Sequence, residues 1–412
     1  MTARKGFLTP KECEECGSDP VFHTLTRWSI MIEMLLAAIA VPGVWVSRIV
    51  PPLPRRMGDI FLPPLFTMVA SIKLGKITRD TDAYDFKFVT HVLWDEAKRR
   101  GIRMIQWRPF GMVKHIFLAE YGGKKIVFER MPIPHGRTRG ASWIDDKSQL
   151  KKILRSHGLP TARGEARGSE RGALKLFSQL HKPVIVKPHQ GSGTRHTTLH
   201  IQDEEALLKA FRSAKRLSPL VMIEEELEGP VYRPTVINGS LVATIERNPP
   251  HSVGDGSHTI EELVAKENEN PKRSGLVFSP IHITEAVRRE LARQGYALTS
   301  TPKRGVRVEL HQKVNWSVGG NTRDVTDSVH QDNRELFEEV ARLVEAPIVG
   351  IDFIITDITR SWKEQSMCGV IETNSMPFFD THHLPFEGEP RDVAGPIWDM
   401  VFPESHKKVS EN

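Results

Sequence analysis

Cysteine is scarce in this chain: Cys13, Cys16 and Cys368 are the only three in 412 residues. An odd, low count excludes a disulfide framework and points to a reducing compartment, so a cytoplasmic location is expected. Cys13-Glu14-Glu15-Cys16 has C-x-x-C spacing, but a structural zinc site needs two more ligands. His23 offers one, no second candidate pair stands out, and the two cysteines read as ordinary thiols. A run of five or six basic residues is also missing, although 57 Lys and Arg against 51 Asp and Glu leave a formal net charge of +6. The basic residues are spread along the chain, and the 7% of aromatics are not interleaved with them as a base-stacking platform requires. Nucleic acid is therefore not an expected partner, and an anionic small molecule accounts for the surplus charge. An uninterrupted membrane-length apolar run is lacking too. The nearest approach, Trp28 to Val50, contains Glu33 and is broken by Pro42-Gly43. A charge near the bilayer centre costs about 2.5 kcal/mol or more. The segment starts late and has no small-residue cleavage site, unlike a secretory signal. It reads as a buried or membrane-surface helix, with a membrane anchor as the alternative.

What is present is the composition of a globular protein, 39% hydrophobic and 26% charged, long enough for two or three domains. Residues 1–80 carry prolines in patches and the apolar segment, and their role is not readable. Residues 81–140 read as a small α/β unit: a helix over 86–100, a strand over 102–107 and a strand pair, 115–121 and 125–129, around Gly122-Gly123. Residues 141–405 alternate strands and helices, and 406–412 form a tail. Helices are expected over 148–156, 204–214 and 334–344. Strands are expected over 183–187, 221–224, 350–356 and 369–373, with a hairpin over 236–246 turned by Asn238-Gly239. The class is α+β, with sheets covered by helices.

Two local signals carry chemistry. Strand alternation puts Glu372 and Asn374 on one face, and Asp352, on the other strand of the pair, points toward the same place. Two carboxylates and a carboxamide form a hard-oxygen set that suits Mg²⁺ shared with phosphate oxygens, and acidic groups inside apolar strands are costly unless paired or metal-bound. The competing reading is three ordinary polar residues at strand ends. The second signal is Lys187 at the end of an apolar strand, followed by Gln190-Gly191-Ser192-Gly193-Thr194. Glycine permits the close approach by which backbone N–H groups cradle phosphate. The turn is not a G-x-x-x-x-G-K-[ST] loop, and in isolation a plain surface hairpin explains it equally well.

Read in order, these pieces resemble the ATP-grasp ligases, and within them the ATP-grasp part of cyanophycin synthetase. The resemblance runs from Asp146-Lys147 to Phe402-Pro403. It includes Pro249-Pro250-His251-Ser252-Val253-Gly254-Asp255-Gly256-Ser257-His258-Thr259-Ile260-Glu261-Glu262-Leu263, similar to P-x-x-V-x-G-D-G-x-H-T-I-x-E-L. It also includes Asn315, Ser317, Gly319, Gly320 and Asp324-Val325-Thr326-Asp327, then Glu372-Thr373-Asn374, and finally His382, Pro385, Gly388 and Arg391-Asp392-Val393-Ala394. The resemblance implies an ATP-grasp fold, two α/β subdomains clasping nucleotide, behind a small α/β domain. It implies an enzyme that joins a carboxylate to an amine through an acyl phosphate. ATP and Mg²⁺ (one or two ions, Mn²⁺ as a substitute) are the implied cofactors. Lys147, Lys187, Gly191, Ser192, Gly193, Glu224, Glu225 and Leu227 are then expected to bind nucleotide. Asp352, Glu372 and Asn374 would hold metal, and Lys187, Arg247 and Asn374 would serve catalysis. Arg323, His382 and His383 are candidates for substrate contact. An amino acid or short peptide is the expected substrate, and a homo-oligomer the expected state.

Departures from the pattern bear on function. Where the family places an acidic residue for the ribose hydroxyls, in G-x-[DE]-Y-R, this chain has Gly229-Pro230-Val231-Tyr232-Arg233; Glu226 or Glu228 is the candidate substitute. Phe378 stands where the family has glycine and should reshape the acceptor pocket. The second ligase domain of cyanophycin synthetase is not in this sequence, so synthesis of the two-residue repeating polymer by this chain alone is not expected. A catalytically inactive nucleotide-binding protein is the alternative function.

Overall fold

The structure is a computed structural model that describes residues 13, 22–32, 64, 68, 75–78, 88–109, 116–134, 137, 140–141, 143–190, 195–273 and 277–408. Residues 23–32 are helical. Within that piece of the Trp28–Val50 segment Ile30 is buried, but Trp28 is 57% and Ile32 52% exposed, so the described part is not a buried helix. Residues 33–50 lie outside the described set. No helix among the described residues is long and apolar enough to cross a membrane.

The first layer is an antiparallel sheet in sequential order, β1 (Gly75–Thr78), β2 (Arg103–Pro109), β3 (Ile116–Tyr121) and β4 (Lys124–Glu129), with helix α1 (Phe88–Arg99) between its first two strands in sequence. Gly122 and Gly123 turn β3 into β4 with φ of 55° and 77°, a left-handed pair that glycine adopts without steric cost.

The second layer takes α2 (Lys147–Ser156), β5 (Gly164–Arg167), α3 (Glu170–Phe177), β6 (Val184–Pro188), β7 (Thr198–Ile201), α4 (Glu204–Lys215) and β8 (Val221–Glu225). Its strands pair antiparallel in the order β5-β8-β6-β7. The apolar stripes of α3 and α4 (Ala173, Phe177, Leu207, Phe211) bury against Val184, Val186, Val221 and Ile223. Each helix opens on a side chain that accepts a backbone N–H, Ser169 for α3 and Asp203 for α4.

The third layer is a five-stranded antiparallel sheet in the order β13-β10-β9-β14-β15, made of β9 (Val231–Ile237), β10 (Ser240–Asn248), β13 (Asn321–Asp324), β14 (Ile348–Ile354) and β15 (Gly369–Asn374). Alternation along β14 sends Val349, Ile351 and Phe353 to one face, where helix α7 (Gln331–Leu343) buries Phe337 and Val340. Between β10 and β13 in sequence, β11 (His251–Val253), α5 (Ile260–Asn268), α6 (Glu285–Arg293) and β12 (Arg307–Glu309) gather a small core of Ile260, Val264, Leu291 and Val308. After β15 come the short α8 (Asp380–His383) and α9 (Ala394–Val401).

Residues 81–140 do not make a core of their own among the described residues. Trp94, Phe117 and Phe128 share one apolar cluster with Ile237 and Ile348 of the third sheet and with Trp398 and Phe402. The Trp398 indole N–H donates to the Leu93 carbonyl at 2.9 Å, and buried Arg100 bridges Glu96 at 2.6 Å to Asp399 of α9.

Candidate functional site

The face of the third sheet opposite α7 carries polar side chains on four adjacent strands: Arg247 on β10, Arg233 on β9, Asp352 on β14 and Glu372 on β15. Asp352 and Glu372 are directly opposite in the β14–β15 register, and Asn374 is opposite Gly350. The predicted trio of carboxylates and carboxamide thus shares one end of the sheet. Two like charges opposite each other on neighbouring strands repel, and they persist only beside cations. Lys147, the first residue of α2, reaches Glu372 at 3.1 Å. Arg233 grips buried Asp352 with two bonds, Nε to Oδ1 at 2.6 Å and Nη2 to Oδ2 at 2.7 Å. Arg247 adds a third at 3.1 Å and lies 5.8 Å from the Trp316 ring.

The charges explain the proton affinities. Burial favours the neutral acid at Asp352, but Arg233 and Arg247 outweigh it and hold its pKa below the usual carboxylate range. Burial and the neighbouring Arg233 push Arg247 down to about 10, so it stays charged at neutral pH. Lys147 is raised: burial works against its charge, and Glu372, with Glu224 and Asp352 beyond it, prevails.

A second charged knot lies on the facing sheet. Glu224 of β8 is fully buried between Lys151 of α2, at 2.8 Å, and Lys187 of β6. Burial raises the Glu224 pKa, but the two lysines overcome it and depress it to about 2. Lys151 itself is lowered by burial despite that partner. Lys147 and Lys151 are four residues apart and share one side of α2, so this helix gives one ammonium to each sheet. Counted together, five cations (Lys147, Lys151, Lys187, Arg233, Arg247) face three carboxylates. That surplus suits a polyanion.

Between the two sheets opens a cavity of about 720 Å³. Ile185, Leu199, Leu227, Ile354 and Met367 give it apolar walls, and Arg247, Glu226 and Glu228 add charge at its edges. Buried Glu225 accepts the His181 N–H on its carboxylate at 3.0 Å. Glu226 is held by the His200 ring and backbone N–H, both at 2.8 Å. Glu228 is exposed and makes no side-chain hydrogen bond among the described residues. Gly191, Ser192 and Gly193, the expected phosphate turn, lie outside the described residues.

Magnesium fits the donors present. Glu372 is partly exposed, with Lys147 as its ion-pair partner, and Oδ1 of Asp352 accepts one bond and retains a lone pair, while Oδ2 accepts from both Arg233 and Arg247. The set is hard oxygen, as that ion requires.

The expected substrate contacts fare differently. His382 is fully buried, shares a 2.8 Å hydrogen bond with Thr235 and is driven down to about 3 by burial and nearby Arg233. His383 accepts the N–H groups of Val393 and Ala394 at the start of α9. The His382 ring is enclosed and out of reach of a ligand, whereas His383 is only partly buried and is held by the start of α9. Arg323 pairs with Glu246 at 2.9 Å at the cavity edge. Phe378 is 40% exposed and packs edge-on against Trp316, beside Arg247. The sequence reading missed Lys151 and gave Arg233 no role. The four-residue spacing of Lys147 and Lys151 was the signal for the first.

No protein-family model matches the chain. Cyanophycin synthetase from Trichormus variabilis is 31% identical over 329 residues, 76% of this chain and 35% of that protein. The glutathione biosynthesis bifunctional protein of Streptococcus agalactiae is 33% identical over 269 residues, 63% of this chain and 36% of that protein. The crystal structure of a bifunctional glutathione synthetase from Pasteurella multocida superposes with a TM-score of 0.57 at 25% identity, covering 78% of this chain and 44% of that one. The chain thus spans about a third of the length of the curated relatives it matches. The two antiparallel sheets with a cleft between them are the ATP-grasp fold.

Proposed function

This chain is an ATP-grasp protein of the ligase family, close to cyanophycin synthetase, and from that premise we propose that it joins a carboxylate to an amine at the expense of ATP, through an acyl phosphate. The observation that carries the reading is the cationic surplus around the register-opposed Asp352 and Glu372, with Arg247 shared between that cluster and the lining of the apolar cleft. The apolar walls suit adenine, and Leu227 is the linker residue among them. Glu228, exposed at the edge, takes the ribose hydroxyls that Val231 has no atom to bind. Asp352, Glu372 and Asn374 would hold one or two Mg²⁺, which would supply charge neutralisation to the nucleotide phosphates. Lys147, Lys187 and Arg247 bind the phosphate oxygens; Glu224 keeps Lys151 as partner when Lys187 turns to the nucleotide.

Phosphoryl transfer is mostly positioning and charge neutralisation. A substrate carboxylate oxygen bonds to the γ-phosphorus and ADP leaves. The amine then bonds to the acyl carbon, phosphate leaves, and the nitrogen loses its proton. Water must be kept out meanwhile, because an acyl phosphate hydrolyses. The aromatic pair Trp316 and Phe378 beside Arg247 supports an amino acid or short peptide as substrate. The scarcity of cysteine supports a cytoplasmic setting.

The test is ADP release from ATP and Mg²⁺ across a panel of amino acids and short peptides. One carboxylate–amine pair is expected to raise ADP release, and Glu372→Ala to lower it by about 100-fold or more. ATP binding with no stimulation by any pair would favour the inactive nucleotide-binding alternative.

A further inference from the structure

Three residues past Gly193, His196 meets two side chains from the start of the chain, and the ligase chemistry uses none of the three. Cys13 Sγ lies 3.6 Å from His196 Nε2, and His23 Nε2 lies 3.2 Å from the same nitrogen. One donor atom from each residue falls within 4.8 Å of the others. Zinc bonds of about 2.3 Å to sulfur and about 2.0–2.1 Å to nitrogen, at tetrahedral angles, set the edges at about 3.6 Å for S···N and about 3.4 Å for N···N. The two measured edges match that tetrahedron. A single imidazole nitrogen carries one proton or one lone pair, so it cannot serve both neighbours well by hydrogen bonding. His196 is held in place: it is fully buried, and its other nitrogen meets the Ser213 hydroxyl at 2.9 Å. A hydroxyl that accepts the second ring N–H fixes the tautomer and aim of a metal-ligating imidazole. Arg216, which can only donate, meets the far nitrogen of His23 at 3.2 Å, so His23 ligates once that contact is released.

We propose that Cys13, His23 and His196 bind a zinc ion, which ties the start of the chain to the β5-β8-β6-β7 sheet just ahead of β7. Thiolate and imidazole are borderline-soft donors that select zinc over the hard Mg²⁺ of the nucleotide site. The tie closes a long loop of chain, so its loss is read as a stability change. The proposal does not depend on the ligase reading.

The experiment is metal analysis of the full chain, purified without chelator, with and without zinc added and then removed by gel filtration. About one zinc per chain is expected, with near-complete loss in Cys13→Ser and in His23→Ala. Chelation should lower the melting temperature by several degrees. Cys13→His retains a ligand, so it should keep the metal; in the cobalt-substituted protein it should lose the thiolate-to-cobalt charge-transfer band. Native protein that holds no zinc while ATP still raises its melting temperature overturns the proposal. So does equal zinc content in native protein and Cys13→Ser, or an unchanged cobalt spectrum in Cys13→His.

Discussion

Glu224 shows how one buried residue can govern both stability and the site. It lies between two lysines with no access to solvent, so removing its charge strands the ammonium of Lys151. Glu224→Gln should cost about 3–5 kcal/mol, seen as a lower urea midpoint, whereas joint replacement of Glu224 and Lys151 by apolar residues should restore much of the loss. The pH dependence follows from the sign of the shift. The folded pKa is depressed, from a model-compound value of 4.5 to about 2, so the stabilisation is complete above about pH 4.5 and is lost as pH falls toward 2. Urea midpoints measured from pH 6 to pH 2 should drop through that window in the native protein and drop less in Glu224→Gln. At the same scale, the longest family-like string proves architectural. Asp255 accepts the N–H groups of Ser257 and His258 at 2.8 and 2.9 Å, and Thr259 and Glu262 form a capping box that starts α5. A beta carbon on Gly254 would stand 2.4 Å from the Lys303 carbonyl oxygen, so the motif's glycine answers a close approach of two backbones.

Among the elements, α2 couples the two sheets. Asp146 caps it by accepting N–H bonds from Ser148 at 2.8 Å and Gln149 at 3.0 Å, which fixes the first turn and with it Lys147. Asp146→Ala should cost about 1 kcal/mol of stability and raise the KM for ATP more than it changes kcat, because the ammonium over Glu372 loses its anchor. The linker from β8 to β9 is constrained in a different way. Gly229 sits at φ 111°, and a beta carbon there would lie 2.4 Å from the Ile355 carbonyl oxygen, so no other residue lets the linker pass β14 this closely. Glu228 and Val231, on either side of Gly229 in sequence, both line the cavity. Two strands fall within one residue of the sequence reading, β6 expected over 183–187 and spanning Val184–Pro188, β15 expected over 369–373 and spanning Gly369–Asn374, but the hairpin expected over 236–246 begins five residues earlier, with β9 at Val231. Helix α6 was not expected, because its stripe of Val287 and Leu291 is short and lies among charged residues.

For the molecule as a whole, α9 is the piece that closes the chain on itself. Trp398 is fully buried, stacks on Phe402 at 6.0 Å and joins the first sheet to the third. Trp398→Ala should destabilise by about 3–5 kcal/mol and, because the cluster is shared, should still unfold both layers in one transition by circular dichroism and tryptophan fluorescence. The sequence determined the α+β class, the periodic elements and the residue types of the site, because alternation, helical spacing and turn glycines are local properties of the chain. It also put Glu372 and Asn374 on one face, since two residues apart on a strand is enough to say so. Tertiary structure alone decided the partners. Asp352 meets Arg233 across 119 positions of chain, Lys151 reaches Glu224, and His196 comes to Cys13 and His23 from 183 and 173 residues away. No periodicity encodes which distant charges share a low-dielectric interior. That choice is made when sheets and helices pack, because a buried charge or a metal-ligating nitrogen is tolerated only where packing brings its counterpart within bonding distance.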